Sequence, residues 1–271
     1  MHLKKKIAIL GAGNIGSAIA EGLVKSKIIS PSNIAITRKN RLLLQQFSDK
    51  GFNSTDNITA VESSDIIILA VTPQQLNELI EEIKESLNPS KHIVISVVSG
   101  VSVKQIKNHL GIDLPVIRVM PNTAIAIRES MTCISAGASD KDELDDALKI
   151  FDALGKTIVI EESLMVPATA LCACGTAFFL RAIRAASQGG IEIGFHAADA
   201  LFMAAQTAKG SAEMLLEKGK HPENEVDKVT TPMGCTISGL NQMEHNGFSS
   251  SLIKGIVTSA EKAGTLYANN D

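Results

Sequence analysis

Ile7-Ala8-Ile9-Leu10-Gly11-Ala12-Gly13-Asn14-Ile15-Gly16 decides the fold. Four apolar residues run without interruption into a glycine-rich turn. The residues that follow, 14–25, place Ile15, Ile19 and Leu23 on one stripe at helical spacing. A G-x-G-x-x-G turn set directly between a strand and a helix has a specific physical use. One glycine permits the tight turn, one lets backbone approach a pyrophosphate, and one lets helix and strand pack closely. The free N–H groups at the helix start then face the anion. Gly11, Ala12, Gly13, Asn14, Ile15 and Gly16 are the candidate dinucleotide loop.

Outward from this turn the pattern repeats. Continuous runs rich in Ile and Val occupy 34–37, 66–71, 93–98, 116–120, 132–135 and 157–160. Such runs suit strands covered on both faces, as in a parallel sheet. Between them lie helical patterns, such as 74–87 with Leu76, Leu79, Ile80, Ile83 and Leu87. Helix starts are legible at Thr72-Pro73-Gln74-Gln75, Ser102-Val103-Lys104-Gln105 and Asp140-Lys141-Asp142-Glu143. Asp142, Glu143, Asp145 and Asp146 read as the exposed face of an amphipathic helix, and the Glu161-Glu162 pair as a solvated junction. The alternation predicts an α/β class with an N-terminal Rossmann-type, doubly wound sheet over 1–161.

Past residue 161 the composition changes. Fourteen alanines lie between Pro167 and Leu215, and β-branched runs vanish. Helical patterns cover 175–188, 197–218, 236–246 and 249–268, so 162–271 reads as an all-helical domain. Its helices are too apolar to cover one another, which predicts at least a dimer.

Composition excludes several functions. Lys plus Arg is 26 and Asp plus Glu 29, a net charge of -3, which offers no footprint for nucleic acid and no basic face for a membrane. Eight Phe, one Tyr and no Trp provide few platforms for base stacking. No uninterrupted apolar run approaches the roughly 20 residues of a membrane span. Lys4, Lys5 and Lys6 lead into a strand rather than a targeting segment, and four cysteines in so long a chain form no disulfide framework. A cytoplasmic location is expected. Cys172-x-Cys174 with Cys235 lacks the spacing and fourth ligand of a structural zinc site, so no metal is expected.

The second strand ends Ile36-Thr37-Arg38-Lys39, where an NAD-specific site would carry a carboxylate for the ribose hydroxyl. A hydroxyl and two cations suit a 2′-phosphate. NADPH is therefore the expected cofactor, with NADH the alternative donor.

Three further segments carry a resemblance. They are Arg118-Val119-Met120-Pro121-Asn122-Thr123, Leu171-Cys172-Ala173-Cys174-Gly175-Thr176-Ala177, and Thr231-Pro232-Met233-Gly234-Cys235-Thr236. In this order, with the glycine turn before them, the chain resembles pyrroline-5-carboxylate reductases from end to end. The resemblance implies reduction of the cyclic imine 1-pyrroline-5-carboxylate to L-proline, and a homodimer built on the helical domain, with further assembly left open. It places the 2′-phosphate region at Thr37, Arg38 and Lys39, an adenosine-side asparagine at Asn57, a cofactor-passing segment at Ala70-Val71-Thr72, and Asn122 beside the nicotinamide. It assigns the substrate carboxylate to backbone around Cys172, Cys174, Gly175 and Thr176 and around Met233, Gly234 and Cys235, with Thr236 bonding the imine nitrogen. Helices opening at Gly175 and Gly234 would each suit a small anion.

The chain departs from the family pattern in these turns. Cys172 and Cys174 replace serines, Ala173 a glycine and Thr176 a proline. Met233 replaces a glycine, Thr72 a lysine and Ala124 a proline. If position 233 needs φ > 0, methionine there carries strain. These departures leave open the reduction of a related small imino or keto acid, and an NADP-binding paralogue without turnover.

Overall fold

A computed structural model describes residues 3–137, 140–219 and 221–265. The described residues form two compact units: those up to Cys174 together with those from Ser259, and Gly175–Thr258.

The first unit is built on β1 (Ile7–Leu10), α1 (Asn14–Lys25), β2 (Ile34–Thr37), α2 (Gln45–Ser48), β3 (Asn53–Ser54), α3 (Asn57–Glu62), β4 (Ile66–Leu69), α4 (Pro73–Ile83), β5 (Ile93–Ser96), α5 (Val103–Leu110), β6 (Val116–Met120), β7 (Ser130–Ala136), α6 (Lys141–Asp152) and β8 (Gly155–Val159). The strands form one eight-stranded sheet in the order β3-β2-β1-β4-β5-β6-β7-β8. Ile7 and Ile9 of β1 pack into one buried cluster with Ile19 and Leu23 of α1. Ala8 and Leu10 face the other way, into a cluster with Leu76, Leu79 and Ile80 of α4. Alternate residues thus enter opposite cores, which is why these strands read as unbroken apolar runs. Each fully buried isoleucine contributes about 1.5–3 kcal/mol.

The sheet order reverses at β1, which pairs in parallel with β2 on one side and β4 on the other. In open α/β sheets a ligand crevice lies at such a switch point, outside the strands' carboxyl ends. Gly11 and Ala70, the residues just past β1 and β4, sit there.

The sheet is not parallel throughout. β7 runs antiparallel to β6, and β8 runs parallel to β7. The connection 121–129 holds only a short 3₁₀ turn at Thr123–Ile127. A parallel return needs a crossover of a dozen or more residues. The short elements α2, β3 and α3 carry too few residues to show a period.

Two charge readings change as well. Asp146 is not simply exposed: its carboxylate accepts Lys5 Nζ at 2.7 Å and faces Lys149 Nζ at 3.8 Å. Glu162 is not a solvated junction residue: its Oε1 accepts the Val103 N–H at 2.7 Å and lies 3.5 Å from Arg118 Nη1.

After β8 the chain passes α7 (Met165–Ala168) and a π-helical turn, Thr169–Cys174. The second unit holds α8 (Gly175–Glu192), α9 (Ala197–Lys218), α10 (Pro222–Val229), α11 (Cys235–His245) and most of α12 (Phe248–Gly264). The 266–268 end of the last helical pattern lies outside the described residues. α10 escapes a periodicity reading because it is short and charged, although Pro222 at its first turn and Glu223 after it are start signals. α8 and α9 approach closely through small residues, with a Cβ on Gly190 falling 3.0 Å from Ala200 Cβ. Large apolar side chains remain on the outside, including Phe179, Leu180, Phe202 and Leu216.

By length and composition, the helical path Glu162–Glu192 is long and apolar enough to cross a membrane. The contiguous-run reading missed it because Arg181, Arg184, Thr176 and the glycines break the run without lowering its average hydropathy enough.

Candidate active site

At the carboxyl ends of β1, β2 and β4 lies a cleft of about 770 Å³. Gly11, Ala12, Gly13, Asn14 and Ile15 form its floor. Gly11 has φ +108, and a Cβ there would press on the Ala70 carbonyl oxygen. A Cβ on Gly16 would drive into the Gly11 carbonyl oxygen, so Gly16 is the close-packing glycine behind the cleft rather than part of its lining. At Gly13 a Cβ would meet no protein atom within 4 Å, which leaves backbone open to the cleft. Gly13 caps α1 without a side-chain acceptor for the first-turn N–H groups. The Ala12 N–H is spent on Thr37 O at 2.7 Å, tying the turn to the end of β2.

Thr37, Arg38 and Lys39 line one end of the cleft. Thr37 is buried, while the Lys39 ammonium is exposed and 3.8 Å from Glu78. Ala70, Val71 and Thr72 line the far wall. Thr72 starts α4, its N–H and hydroxyl both donating to Gln75 Oε1 at 3.3 and 3.1 Å. Asn57 is also on the wall and donates to Glu82 Oε2 at 2.8 Å. Twelve of the residues singled out in the sequence thus share one cleft. Its backbone floor and cationic end fit a dinucleotide phosphate chain.

Sequence reasoning missed Asp56, Glu78, Glu82 and Ser99, which line the same cleft. Asp56 had a readable signal, since it caps α3. Its carboxylate accepts the Thr59 N–H at 2.9 Å and the Thr59 hydroxyl at 2.8 Å. These bonds hold its pKa below the ordinary carboxylate value.

Asn122 lies outside the lining of this cleft. Its side-chain oxygen accepts the Ala124 N–H at 3.0 Å, and its Nδ2 donates to the Cys172 carbonyl at 3.2 Å. That carbonyl belongs to the π-helical turn. Gly175 therefore does not open a fresh helix, because the chain is already helical when it reaches Gly175. The expectation of free helix-start amides there is corrected. A widened turn disturbs the regular i→i−4 ladder and so can release a carbonyl to the Asn122 side chain.

Cys133 Sγ of β7 lies 3.8 Å from Cys172 Sγ. Cys133 is buried with Met120, Met165 and Ala168 in an apolar cluster against which Cys172 packs. Either thiol can donate across this contact; with Cys133 as donor the Cys172 thiolate is stabilised, lowering the Cys172 pKa to about 7. The same bond, with burial, pushes Cys133 up. Arg118 is almost wholly buried; desolvation lowers its pKa while Glu162 counteracts that. Its Nε and Nη2 find no partner among the described residues.

In the second unit, Gly234 caps α11 without a side-chain acceptor. The Gly234 N–H closes a turn onto Thr231 O at 3.0 Å. A Cβ on Gly234 would collide with Thr231. Met233, between them, has φ +60 and a fully exposed side chain. The strain that the sequence made conditional is therefore present. Thr236 stands in the first turn of α11, and Cys235 is exposed.

A family model described as pyrroline-5-carboxylate reductase dimerisation matches residues 162–266, and one described as NADP oxidoreductase, coenzyme F420-dependent, matches residues 6–100. Across 97% of its length the chain is 49% identical to pyrroline-5-carboxylate reductase 2 of Dictyostelium discoideum, of which it covers 94%. The chain belongs to the pyrroline-5-carboxylate reductase family. It is also 54% identical, over 96% of its length, to reductase 1 of the same organism, but spans only 50% of that relative. Its backbone matches the crystal structure of Plasmodium falciparum pyrroline carboxylate reductase with NADP bound, with a TM-score of 0.85 at 25% identity, covering 98% of this chain and all of that one.

Against the family pattern, the cleft of the first unit keeps its glycine turn but carries Thr72 in place of lysine, Ala124 departs in the 3₁₀ turn, and the remaining departures fall on two backbone turns. In one of them, Cys172 and Cys174 stand in a π-helical segment. In the other, Met233 takes a glycine conformation.

Proposed function

We propose that this chain reduces 1-pyrroline-5-carboxylate to L-proline, with NADPH as the preferred donor. The observation that carries the reading is 49% identity across nearly the whole of a relative of that name. The dinucleotide-shaped cleft is its physical support. Residues 1–161 serve as the NADPH-binding domain and 162–271 as the helical dimerisation and substrate domain.

NADPH supplies the hydride when bound. The residues 11–16 turn presents uncapped first-turn N–H groups to the pyrophosphate. Arg38 and Lys39 face the 2′-phosphate, and Asn57 and Ala70-Val71-Thr72 flank the cofactor. The substrate carboxylate falls to the backbone around Cys172, Cys174, Gly175 and Thr176 and around Met233, Gly234 and Cys235; because the chain is already helical at Gly175 and the Gly234 N–H is spent on Thr231 O, the donors are the first-turn N–H groups of α11. Uncapped amides at the start of α11 suit an anion without an arginine partner. The Thr236 hydroxyl bonds the ring nitrogen, fixing which face of the imine carbon is attacked. Nitrogen takes its proton at neutral pH without a dedicated acid–base dyad.

The exposed Phe179, Leu180, Phe202 and Leu216 support a homodimer through the helical domain, and four cysteines without a disulfide suit a reducing cytoplasm.

The purified chain, mixed with NADPH and pyrroline-5-carboxylate, should show substrate-dependent loss of NADPH absorbance and formation of proline. NADPH binding without turnover would refute the reading and identify a silent paralogue. Turnover only with other imino or keto acids would reassign the substrate.

A further inference from the structure

We propose that Cys133 and Cys172 form an oxidant-responsive thiol pair whose closure to a disulfide distorts the 169–174 turn and switches turnover off. The disulfide stands on the thiol geometry alone. The loss of turnover rests on the substrate role proposed above for that turn.

The two thiols differ in the way such a pair requires. Cys133 is fixed on a central segment of β7, 3% exposed, among Met120, Met165 and Ala168. Cys172 is partly exposed on a π-helical turn, within reach of small solutes. Their sulfurs are 3.8 Å apart, and neither is in a disulfide. The contact with Cys133 favours the thiolate at Cys172, lowering its pKa. A low-pKa, accessible cysteine beside a protected partner is the arrangement of an attacked and a resolving thiol.

The oxidant is a peroxide. The Cys172 thiolate attacks one peroxide oxygen, the O–O bond breaks, and the departing hydroxide takes from solvent the proton that Cys172 had released, leaving as water. Cys172 becomes a sulfenic acid. The Cys133 sulfur then attacks the Cys172 sulfur, the S–O bond breaks, and the hydroxyl leaves with the Cys133 proton as a second water. Two thiols and one hydrogen peroxide give one disulfide and two waters. Dithiols of the cell restore the pair by exchange. In a reducing compartment, transient disulfides of this kind are redox-sensing rather than structural.

Closure has a structural consequence. An S–S bond is about 2.05 Å long, so the sulfurs, now 3.8 Å apart, must approach by about 1.75 Å. Cys133 is held by the sheet, so the movement falls on the π-helical turn. The Cys172 carbonyl bonded to Asn122 moves with it. Displacement of a binding group by about 1 Å can lower turnover 10²-fold.

The test treats the fully reduced full-length protein with hydrogen peroxide, then blocks free thiols and maps linkages by mass spectrometry. The expected product has lost two hydrogens and yields a peptide pair joined through Cys133 and Cys172. Turnover should fall at least tenfold and return with dithiothreitol. C133A should retain turnover when reduced, form no such pair, and accumulate Cys172 sulfenic acid trapped by dimedone. Its Cys172 should also alkylate with a higher apparent pKa, because the S–H donor is gone. Both thiols staying free, or Cys172 joining Cys174 or Cys235 instead, would overturn the proposal. Full turnover in the linked form would overturn the switch. A chain that never reduces the imine would refute the function proposed above, while the mass map would still decide the disulfide.

Discussion

Replacing Met233 with glycine should stabilise this protein, although it removes a large apolar side chain. Thr231-Pro232-Met233-Gly234 is a turn closed by the Gly234 N–H on Thr231 O. Proline stands at its second position and Met233, at φ +60, at its third. That is the position where a type II turn requires a positive φ and favours glycine. A side chain there costs about 1–2 kcal/mol. Glycine returns about 0.5–1 kcal/mol of this by loosening the unfolded chain. The Met233 side chain is 100% exposed, so no packing is lost. The net gain lies between about 0 and 1.5 kcal/mol, centred near 0.75 kcal/mol, or roughly 1.5–3 °C in Tm for a chain of this size. M233A is the control, since alanine keeps the Cβ and with it the strain. Urea and thermal unfolding at one fixed protein concentration would measure the difference, because a dimer's stability depends on concentration. M233G no more stable than M233A would refute the strain argument. M233G clearly less stable than wild type would mean that the side chain is buried in the assembled protein.

Other expectations follow from the same geometry. T236A should lower kcat by about 10–100-fold, the worth of one hydrogen bond to a group gaining charge, with NADPH affinity within about twofold; unchanged steady-state kinetics would remove Thr236 from the mechanism. The double variant R38A/K39A should lose about 10–100-fold in kcat/KM for NADPH, from charge-assisted contacts to one phosphate, and change little with NADH; equal losses with both donors would refute the 2′-phosphate assignment. Burial and the neighbouring Lys91 hold the His92 pKa below 6.5. The unfolded chain therefore takes up a proton that the fold resists, so this stability is present above pH 6.5 and is lost as pH falls through the folded-state value. H92N should flatten urea-unfolding stability across that acidic window, and an unchanged slope would locate the acid sensitivity elsewhere.

How legible each part was depends on the range of the interaction that made it. The turn after β1 could be read because its requirements are local: Gly11 and Gly16 answer to atoms within a few residues or on the adjoining strand. The capping box of Ser102 and Gln105 was equally local, and its reciprocal bonds form at 3.2 and 3.0 Å. The reversed direction of β7 was not local, but it was still inferable from the shortness of 121–129. Glu162 was misread because its partners, Arg118 and Val103, lie 44 and 59 residues away in sequence, and adjacent acids carry no sign of a distant buried cation. Glu78 and Glu82 were missed for a different reason. One helical turn apart on α4, they look like solvated surface until the sheet order puts that helix beside the cleft.

The π-helical turn joins these observations. A sequence reading that finds Gly175 before a long helical pattern has no reason to place the helix start earlier, since Thr169 to Cys174 satisfy the same apolar spacing. The backbone is already helical there, and what replaces free amides is a disturbed ladder with one carbonyl held by Asn122. Side chains on such a turn can change if the main chain keeps its path. Cys172 in place of serine keeps a small polar side chain, and it gains a sulfur partner in Cys133. Met233 keeps its turn at the expense of strain in an exposed loop. The departures at Cys172, Cys174 and Met233 therefore fall where the backbone, rather than the side chain, is proposed to hold the substrate. That is the physical reason a chain altered at these positions can retain the reductase chemistry of its family.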